Sequence, residues 1–131
     1  FEAVLNDTID VIATDHAPHT LEEKNQAYLK APSGGPLVQH SIIAMLDFYH
    51  QQKISLEKIV QKMSHNVADL FRIENRGYIR EGYFADLVLV DLKTPTAVTK
   101  ENLLYKCGWS PLEGFSFPAS ICNTFVNGNM V

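Results

Sequence analysis

The sequence predicts an α/β fold in which one strand is followed by three helices and then by a second group of strands. The first observation is the β-branched run from Ile9 to Thr14, which predicts a buried strand that ends at Asp15. The second is the helical spacing of apolar residues between Val38 and Phe71. The third is the segment ADLVLVDL, which lies among glycines and prolines and is typical of a buried strand.

Composition narrows the class of protein. With 131 residues, 46% of them hydrophobic and 20% charged, the chain has the size and balance of a globular domain. Its net charge is -4 and its 11 Lys and Arg residues are scattered, so the basic patch of a nucleic-acid-binding protein is absent. No apolar run approaches the ~20 residues of a membrane span, and no signal segment is apparent. We expect a cytoplasmic protein that binds neither nucleic acid nor membrane.

The first part of the chain is predicted to be mainly helical. The opening FEAVLND is typical of the end of an apolar helix, and we expect the chain to be part of a longer protein. A long polar loop from Ala17 to Pro36 has room for one helical turn near residues 21–29. The first full helix is predicted to bury one face, formed by Val38, Ile42, Met45, Leu46 and Tyr49.

Two shorter helices follow, each with its own start signal. Ser55 is the predicted N-cap of the second helix. The third is predicted to start at Asn66, with Asp69 at the third helical position as in a capping box, and to carry the apolar residues Val67, Leu70 and Phe71.

The second part of the chain is predicted to be built from strands. Residues 85–92 form the predicted buried strand, and SICNTFVNGNMV resembles a hairpin whose turn is Asn127-Gly128. We place the domain boundary between residues 75 and 76, which gives one domain at 1–75 and a second at 76–131.

Asp15 is the first candidate for chemistry. A carboxylate at the carboxyl end of a buried strand, before a long loop, is how α/β barrels and open parallel sheets present catalytic or metal-binding groups. The alternative is that Asp15 only caps the turn after the strand. His16 and His19 are candidates of the same kind, although isolated histidines are more often hydrogen-bonded surface residues.

Other polar residues carry weaker signals. The Gly34-Gly35 pair could let backbone N–H groups approach a ligand, or it could form a plain flexible turn. The remaining histidines, His40, His50 and His65, are predicted to be solvated or to cap helices, and Glu22, Glu23 and Lys24 are predicted to form a solvated face.

Three stretches carry a family resemblance. TDHAPHTLEEK, NRGYIREGYFADLVLVDL and KCGWSPLEGF, in this order, resemble the C-terminal part of dihydroorotases, which are members of the amidohydrolase superfamily. The resemblance implies the last strand and helices of a (β/α)8 TIM barrel, followed by strands of the small C-terminal β-sandwich. It further implies one or two zinc ions at the barrel face, and reversible hydrolysis of dihydroorotate to carbamoyl aspartate in pyrimidine biosynthesis.

The resemblance also implies roles for individual residues. Asp15 would be both a metal ligand and the catalytic group that moves a proton from the metal-bound water to the departing ring nitrogen. His19 would bind the carboxylate of the substrate, and Gly34 and Gly35 would lie in the substrate-binding loop. A homodimer and an association with aspartate transcarbamoylase are expected on the same basis. Because a catalytic zinc needs about three protein ligands, these 131 residues alone are expected to be inactive.

Two other functions stay open at this point. One is a dihydroorotase-like protein without catalysis, which serves as a scaffold for aspartate transcarbamoylase. The other is a hydantoinase or dihydropyrimidinase of the same superfamily, whose substrates lack the ring carboxylate that His19 would bind.

Overall fold

The structure is a computed structural model that describes residues 1–131 as five helices and five strands. The helices are α1 (Glu2–Leu5), α2 (Leu21–Lys24), α3 (Ser41–His50), α4 (Leu56–Val60) and α5 (Asn66–Phe71). The strands are β1 (Leu87–Asp91), β2 (Thr96–Ala97), β3 (Ser116–Phe117), β4 (Ser120–Val126) and β5 (Asn129–Met130). Single 3-10 turns span Val38–His40 and Lys100–Asn102, and a π-helical turn spans Gln61–His65. None of the helices has the length and apolar character needed to cross a lipid bilayer.

Side-chain caps start two of the helices as local chemistry dictates. The Ser55 hydroxyl accepts a hydrogen bond from the Lys58 N–H at 3.2 Å, which confirms Ser55 as the N-cap of α4. Thr20 and Glu23 form a reciprocal capping box at α2, so the predicted helical turn in the long loop is also present.

Helix α5 begins at Asn66 as predicted, but the prediction of a capping box at this start is wrong. The π-helical turn carries α4 into α5 without a break, and no side chain caps α5. The Asn66 side chain instead donates to the Asp10 carbonyl at 2.7 Å, and Asp69 accepts from the Tyr78 hydroxyl. Leu70 and Phe71 are exposed, because the face of α5 that packs inward is centred on Ala68.

The predicted buried strand from Ile9 to Thr14 forms no ladder, and Ile9 is exposed. A strand needs hydrogen-bonded neighbours, and no other segment of this chain pairs with it. The π-helical turn holds the segment instead. The Ile12 N–H donates to the Lys62 carbonyl at 3.1 Å, and the buried Lys62 ammonium donates to the Ile9 carbonyl and lies 3.0 Å from the Asp7 carboxylate.

Two small antiparallel sheets form the second part of the chain. One has the strand order β1-β4-β5 and the other pairs β2 with β3. The β4–β5 turn has positive φ at Asn127 (52°) and Gly128 (80°), as a type I′ hairpin requires, so the predicted hairpin is confirmed. Strand β1 is confirmed, but its predicted burial is wrong, because Val88, Leu89 and Val90 lie at an edge of the sheet and remain partly exposed.

The core lies between α3 and residues from both parts of the chain. One buried cluster consists of Met45, Leu46, Ile54, Ile59 and Ala119, and a second consists of Ile43, Val98 and Phe117. Helix α3 contributes to both clusters, which explains why Ile43 is buried although it lies outside the predicted buried face of this helix. Val38, which was predicted to be part of that face, is 54% exposed, since it precedes α3 in a 3-10 turn. The boundary at residue 75 stays a prediction.

Gly77 provides a test of packing in the connection after α5. A Cβ at Gly77 would lie 2.4 Å from the Ala68 Cβ and 2.9 Å from the Ser64 carbonyl oxygen. Gly82 has a nearly equal φ (82° against 79°) but no atom within 4 Å of its Cβ position. We expect Gly82→Ala to cost about 1–2 kcal/mol for the left-handed backbone, and Gly77→Ala to cost about 1–3 kcal/mol more for overpacking. Urea unfolding of both variants in the same background measures the difference, and equal losses would contradict the close approach.

His50 joins the end of α3 to the chain after β1. Its Nδ1 lies 2.8 Å from the Leu46 carbonyl oxygen, and its Nε2 lies 2.7 Å from that of Leu92. Only the doubly protonated ring can donate both hydrogen bonds. The bonds to these two carbonyls therefore raise the pKa of His50, against a smaller opposing effect of desolvation.

This geometry predicts a pH-dependent contribution to stability. Because the folded pKa is raised, the contribution is complete below the ordinary histidine pKa of about 6.5 and is lost as pH rises through the raised value. We expect wild type to lose stability relative to His50→Gln as pH rises from about 6.5 through the raised pKa of His50. Urea midpoints measured at several pH values check this, and parallel pH profiles for the two proteins would rule it out.

Candidate functional site

The candidate site is the loop of residues 15–37, named the site loop here, together with the segment of residues 105–111 that packs against it. Asp15 opens the loop and is exposed. Its φ is 45°, in the left-handed region, which Asp tolerates better than most residues. Backbone conformations of this kind are enriched at functional sites. Asp15 therefore presents a carboxylate to solvent from a constrained backbone position.

His16 connects the two arms of the site loop, which are the first arm at residues 15–19 and the second arm at residues 34–37. Its Nδ1 lies 3.1 Å from the Leu37 nitrogen and 3.4 Å from the Val38 nitrogen, and both N–H groups donate to it. In the neutral ring the proton is consequently on Nε2. His16 also forms a parallel bridge with Gly35, beside a hydrogen bond from the Ala17 N–H to the Gly35 carbonyl at 3.1 Å. Because these partners lie about twenty residues further along the chain, local sequence gives no signal of this role.

Gly34 is required by the close approach of the two arms. Its φ is 85°, and a Cβ there would lie 2.6 Å from the Ala17 Cβ and 3.9 Å from the Asp15 carbonyl oxygen. The pair Gly34-Gly35 therefore lies beside the backbone of Asp15, in a defined packing arrangement rather than a plain flexible turn. Contact of either glycine with a ligand stays a prediction.

The charged residues of α2 contribute to the loop structure, and the prediction of a solvated face is wrong for Lys24, which is half-buried, whereas Glu22 and Glu23 are exposed. The Lys24 ammonium donates to the carbonyls of Pro32 (2.6 Å) and Gly34 (2.8 Å). The Glu23 carboxylate accepts from the Thr20 N–H at 2.7 Å, and this hydrogen bond lowers the pKa of Glu23. Both ends of the long loop are thus fixed around α2.

His19 lies just before α2 with a partly exposed ring. Its Nδ1 is 3.7 Å from the Glu23 carboxylate, which is an electrostatic contact rather than a hydrogen bond. Its carbonyl accepts a hydrogen bond from the Trp109 indole N–H at 2.8 Å. The backbone of His19 is therefore fixed from the second part of the chain, while the ring remains accessible.

Sequence reasoning missed a histidine–tyrosine pair beside the site loop, in which His40 is buried and Tyr105 is half-buried. The Tyr105 hydroxyl accepts from the Gln39 N–H at 2.9 Å and lies 3.3 Å from the His40 Nδ1. Burial raises the pKa of Tyr105 and lowers the pKa of His40. The Tyr105 hydroxyl can donate a hydrogen bond to the His40 Nδ1 when that nitrogen carries no proton. The prediction that His40 is solvated or caps a helix is wrong, because it is 3% exposed and no side-chain cap bond involves it.

The chain's own residues do not form a complete metal site. No three His, Cys, Asp or Glu side chains lie close enough together to hold an ion, and a catalytic zinc needs about three protein ligands. Asp15 supplies one exposed carboxylate, so the predicted zinc cage is not completed by the residues described.

Comparison with known proteins identifies the family. The model of the amidohydrolase family matches residues 1–131, and the chain belongs to this family. The chain is 40% identical over 133 residues to a dihydroorotase of Halobacterium salinarum, a match that covers 100% of the chain and 31% of the relative. It is 36% identical over 125 residues to a dihydroorotase of Pyrococcus abyssi, covering 95% of the chain and 30% of the relative. The chain thus spans about a third of the length of these relatives, and its resemblance to dihydroorotases is confirmed.

Solved structures confirm the fold class. A D-hydantoinase (dihydropyrimidinase) from Thermus sp. superposes with a TM-score of 0.90 at 23% identity, over 98% of this chain and 29% of that one. An L-hydantoinase (dihydropyrimidinase) from Arthrobacter aurescens gives a TM-score of 0.89 at 28% identity, over 99% of this chain and 30% of that one. The α/β arrangement of this chain is therefore a portion of the architecture of amidohydrolases.

Proposed function

We propose that the full-length protein containing this chain is a dihydroorotase, which reversibly hydrolyses the cyclic amide of dihydroorotate to N-carbamoyl aspartate. The observation that carries the proposal is the similarity to dihydroorotases along the whole chain, at 40% identity in one case. This similarity includes the loop that bears Asp15 and His19. A place in pyrimidine biosynthesis and a cytoplasmic location belong to the same proposal.

The proposed reaction assigns a proton-transfer role to Asp15. Water adds to the amide carbonyl carbon, the ring C–N bond breaks, and the nitrogen leaves with a proton. Asp15 accepts a proton from the attacking water and delivers it to the departing nitrogen, as a general base and then a general acid. An exposed carboxylate on a constrained backbone suits this role, because it reaches the substrate without first breaking a buried contact.

His19 is the proposed recognition residue. Its ring is partly exposed and its backbone is fixed by Trp109, so an N–H group can be presented to the ring carboxylate of the substrate. A hydrogen bond to a charged group is stronger than one between neutral groups. Gly34 and Gly35 complete the proposed binding loop, because they hold its second arm against Asp15.

Zinc is included in the proposal through the family. Asp15 would be one ligand, and the remaining ligands would come from residues outside this chain. Residues 1–131 alone are accordingly expected to show no turnover. A homodimer and an association with aspartate transcarbamoylase are part of the same proposal through the family resemblance.

Two alternative functions can be distinguished from the proposed one by the substrates that the full-length protein hydrolyses. The superposition on hydantoinases favours hydrolysis of hydantoins or dihydropyrimidines that lack the ring carboxylate. A full-length protein that hydrolyses those substrates and leaves dihydroorotate unchanged would establish that alternative. A protein inactive on both, but binding aspartate transcarbamoylase, would be the non-catalytic scaffold.

We expect Asp15→Asn in the full-length protein to lower kcat at least about a hundredfold, which is the usual effect of losing a general base. Folding should be kept, because Asn also tolerates the left-handed backbone of this position. Asp10→Asn, which removes an exposed carboxylate five residues earlier, is the matched control and should leave kcat unchanged. Steady-state kinetics with dihydroorotate measure both. An Asp15→Asn protein with more than half of wild-type turnover would remove Asp15 from catalysis.

We expect His19→Ala to raise KM for dihydroorotate about 10- to 150-fold, as a hydrogen bond of about 1.5–3 kcal/mol to a charged group is lost. The effect on kcat should be much smaller, because His19 contacts the carboxylate and not the reacting bond. A cyclic amide without the ring carboxylate is the control substrate, and its KM should not change. If KM for dihydroorotate stays at the wild-type value, His19 does not bind the carboxylate.

A further inference from the structure

Trp109 contacts both arms of the site loop from the second part of the chain. Its indole N–H donates to the His19 carbonyl at 2.8 Å, across 90 residues of sequence. On the other arm, a Cβ placed on Gly35 would lie 3.8 Å from the indole Cη2, so the ring lies beside that glycine. One side chain thus bridges the arm that carries His19 and the arm that carries Gly35.

The segment around Trp109 is itself firmly anchored. Ser110 is buried, and its hydroxyl accepts from the Leu112 N–H at 3.2 Å. The Gly108 N–H donates to the Tyr105 carbonyl at 3.0 Å, and the Tyr105 hydroxyl accepts from the Gln39 N–H. Trp109 is therefore held between a buried residue and a closed turn, which makes it a rigid partner for the loop.

The other restraints on the His19 backbone are local. The Thr20 N–H, which belongs to the same peptide group as the His19 carbonyl, donates to the Glu23 carboxylate at 2.7 Å within the capping box of α2. The His19 N–H donates to the Ala17 carbonyl two residues earlier, which fixes only the local turn. The helix that follows, α2, has four residues and depends on its capping box, since helices of this length are not stable by themselves. The bond from Trp109 is the long-range restraint on the His19 peptide, and the position of that peptide sets the point from which the His19 side chain extends.

We propose that Trp109 is a positioning residue for His19 and that it thereby sets the affinity for the ring carboxylate of the substrate. This inference rests on the proposed function. Trp109 acts through the His19 backbone and does not itself touch the substrate. Loss of the Trp109 hydrogen bond should therefore raise KM for substrates that carry the carboxylate and leave the rate of the chemical step unchanged.

The test uses Trp109→Phe in the full-length protein, because Phe removes the N–H donor and keeps an aromatic side chain at this position, although it also lacks the indole Cη2 that lies near Gly35. We expect KM for dihydroorotate to rise about two- to tenfold, the usual worth of one hydrogen bond, with kcat within twofold of wild type. KM for a cyclic amide without the ring carboxylate should not change. Tyr78→Phe is the matched control, since it removes a hydrogen bond of 2.7 Å to Asp69 outside the site and should change neither constant.

A double variant separates positioning from general loosening. In a His19→Ala background, Trp109→Phe should add nothing to KM, because the group that Trp109 positions is gone. A further rise in that background, or an unchanged KM in the single variant, would overturn the proposal.

Hydrogen exchange gives a second measurement that does not depend on activity. The amides of His19 and Thr20 should exchange faster in Trp109→Phe than in wild type, while those in the middle of α3 should not change. Unchanged exchange at His19 and Thr20 would overturn the proposal even if KM rose. A wild-type protein that does not hydrolyse dihydroorotate would refute the proposed function, and the exchange comparison would still decide whether Trp109 holds the loop.

Discussion

The contact between Gly34 and Ala17 is the constraint on which the site depends. The two arms of the site loop approach so closely that a single added carbon would lie 2.6 Å from the Ala17 methyl group. Because the arms are this close, donors and acceptors on opposite arms can form hydrogen bonds, including those that His16 accepts from the Leu37 and Val38 N–H groups. A larger residue at Gly34 would separate the arms, and these bonds could not form together. The position of Asp15 beside the second arm follows from the same contact.

The segment that leads to Asp15 shows how side chains can hold extended backbone where no strand pairs with it. Lys62 and Asn66 donate to backbone carbonyls of this segment, and the Lys62 carbonyl accepts from Ile12. Burial of a lysine is costly unless the charge is paired, and Asp7 supplies the opposite charge at 3.0 Å. The hydrogen bonds to Lys58 and Lys62 lower the pKa of Asp7. The π-helical turn places Lys62 where it meets these partners.

The second part of the chain also shapes the site, although it contributes none of the predicted catalytic or binding residues. Tyr105 accepts a hydrogen bond from Gln39, just after the site loop, and Trp109 donates one to His19 within the loop. Core packing makes the same connection, since Val98, Phe117 and Ala119 pack with residues of the helical part. The stretch KCGWSPLEGF, which carried part of the family resemblance, therefore has a physical role next to the loop that carried the rest.

The sequence by itself determined the features that depend on neighbours in the chain. Four such features could be predicted, because each depends on a few adjacent residues. They are the cap at Ser55, the helical turn at residues 21–24, the Asn127-Gly128 hairpin, and the location of Asp15 and His19 in one loop. The burial of apolar residues could not be predicted in the same way. Leu70, Phe71 and the residues of β1 are apolar, but they lie at surfaces that nothing in this chain covers. Tertiary structure alone decided the roles of His16, His40, Lys62 and Trp109, because their partners lie 20 to 90 residues away along the chain. Hydrogen bonds over such separations leave no periodicity or local pattern in the sequence, and they exist only once the packed core has brought the segments together.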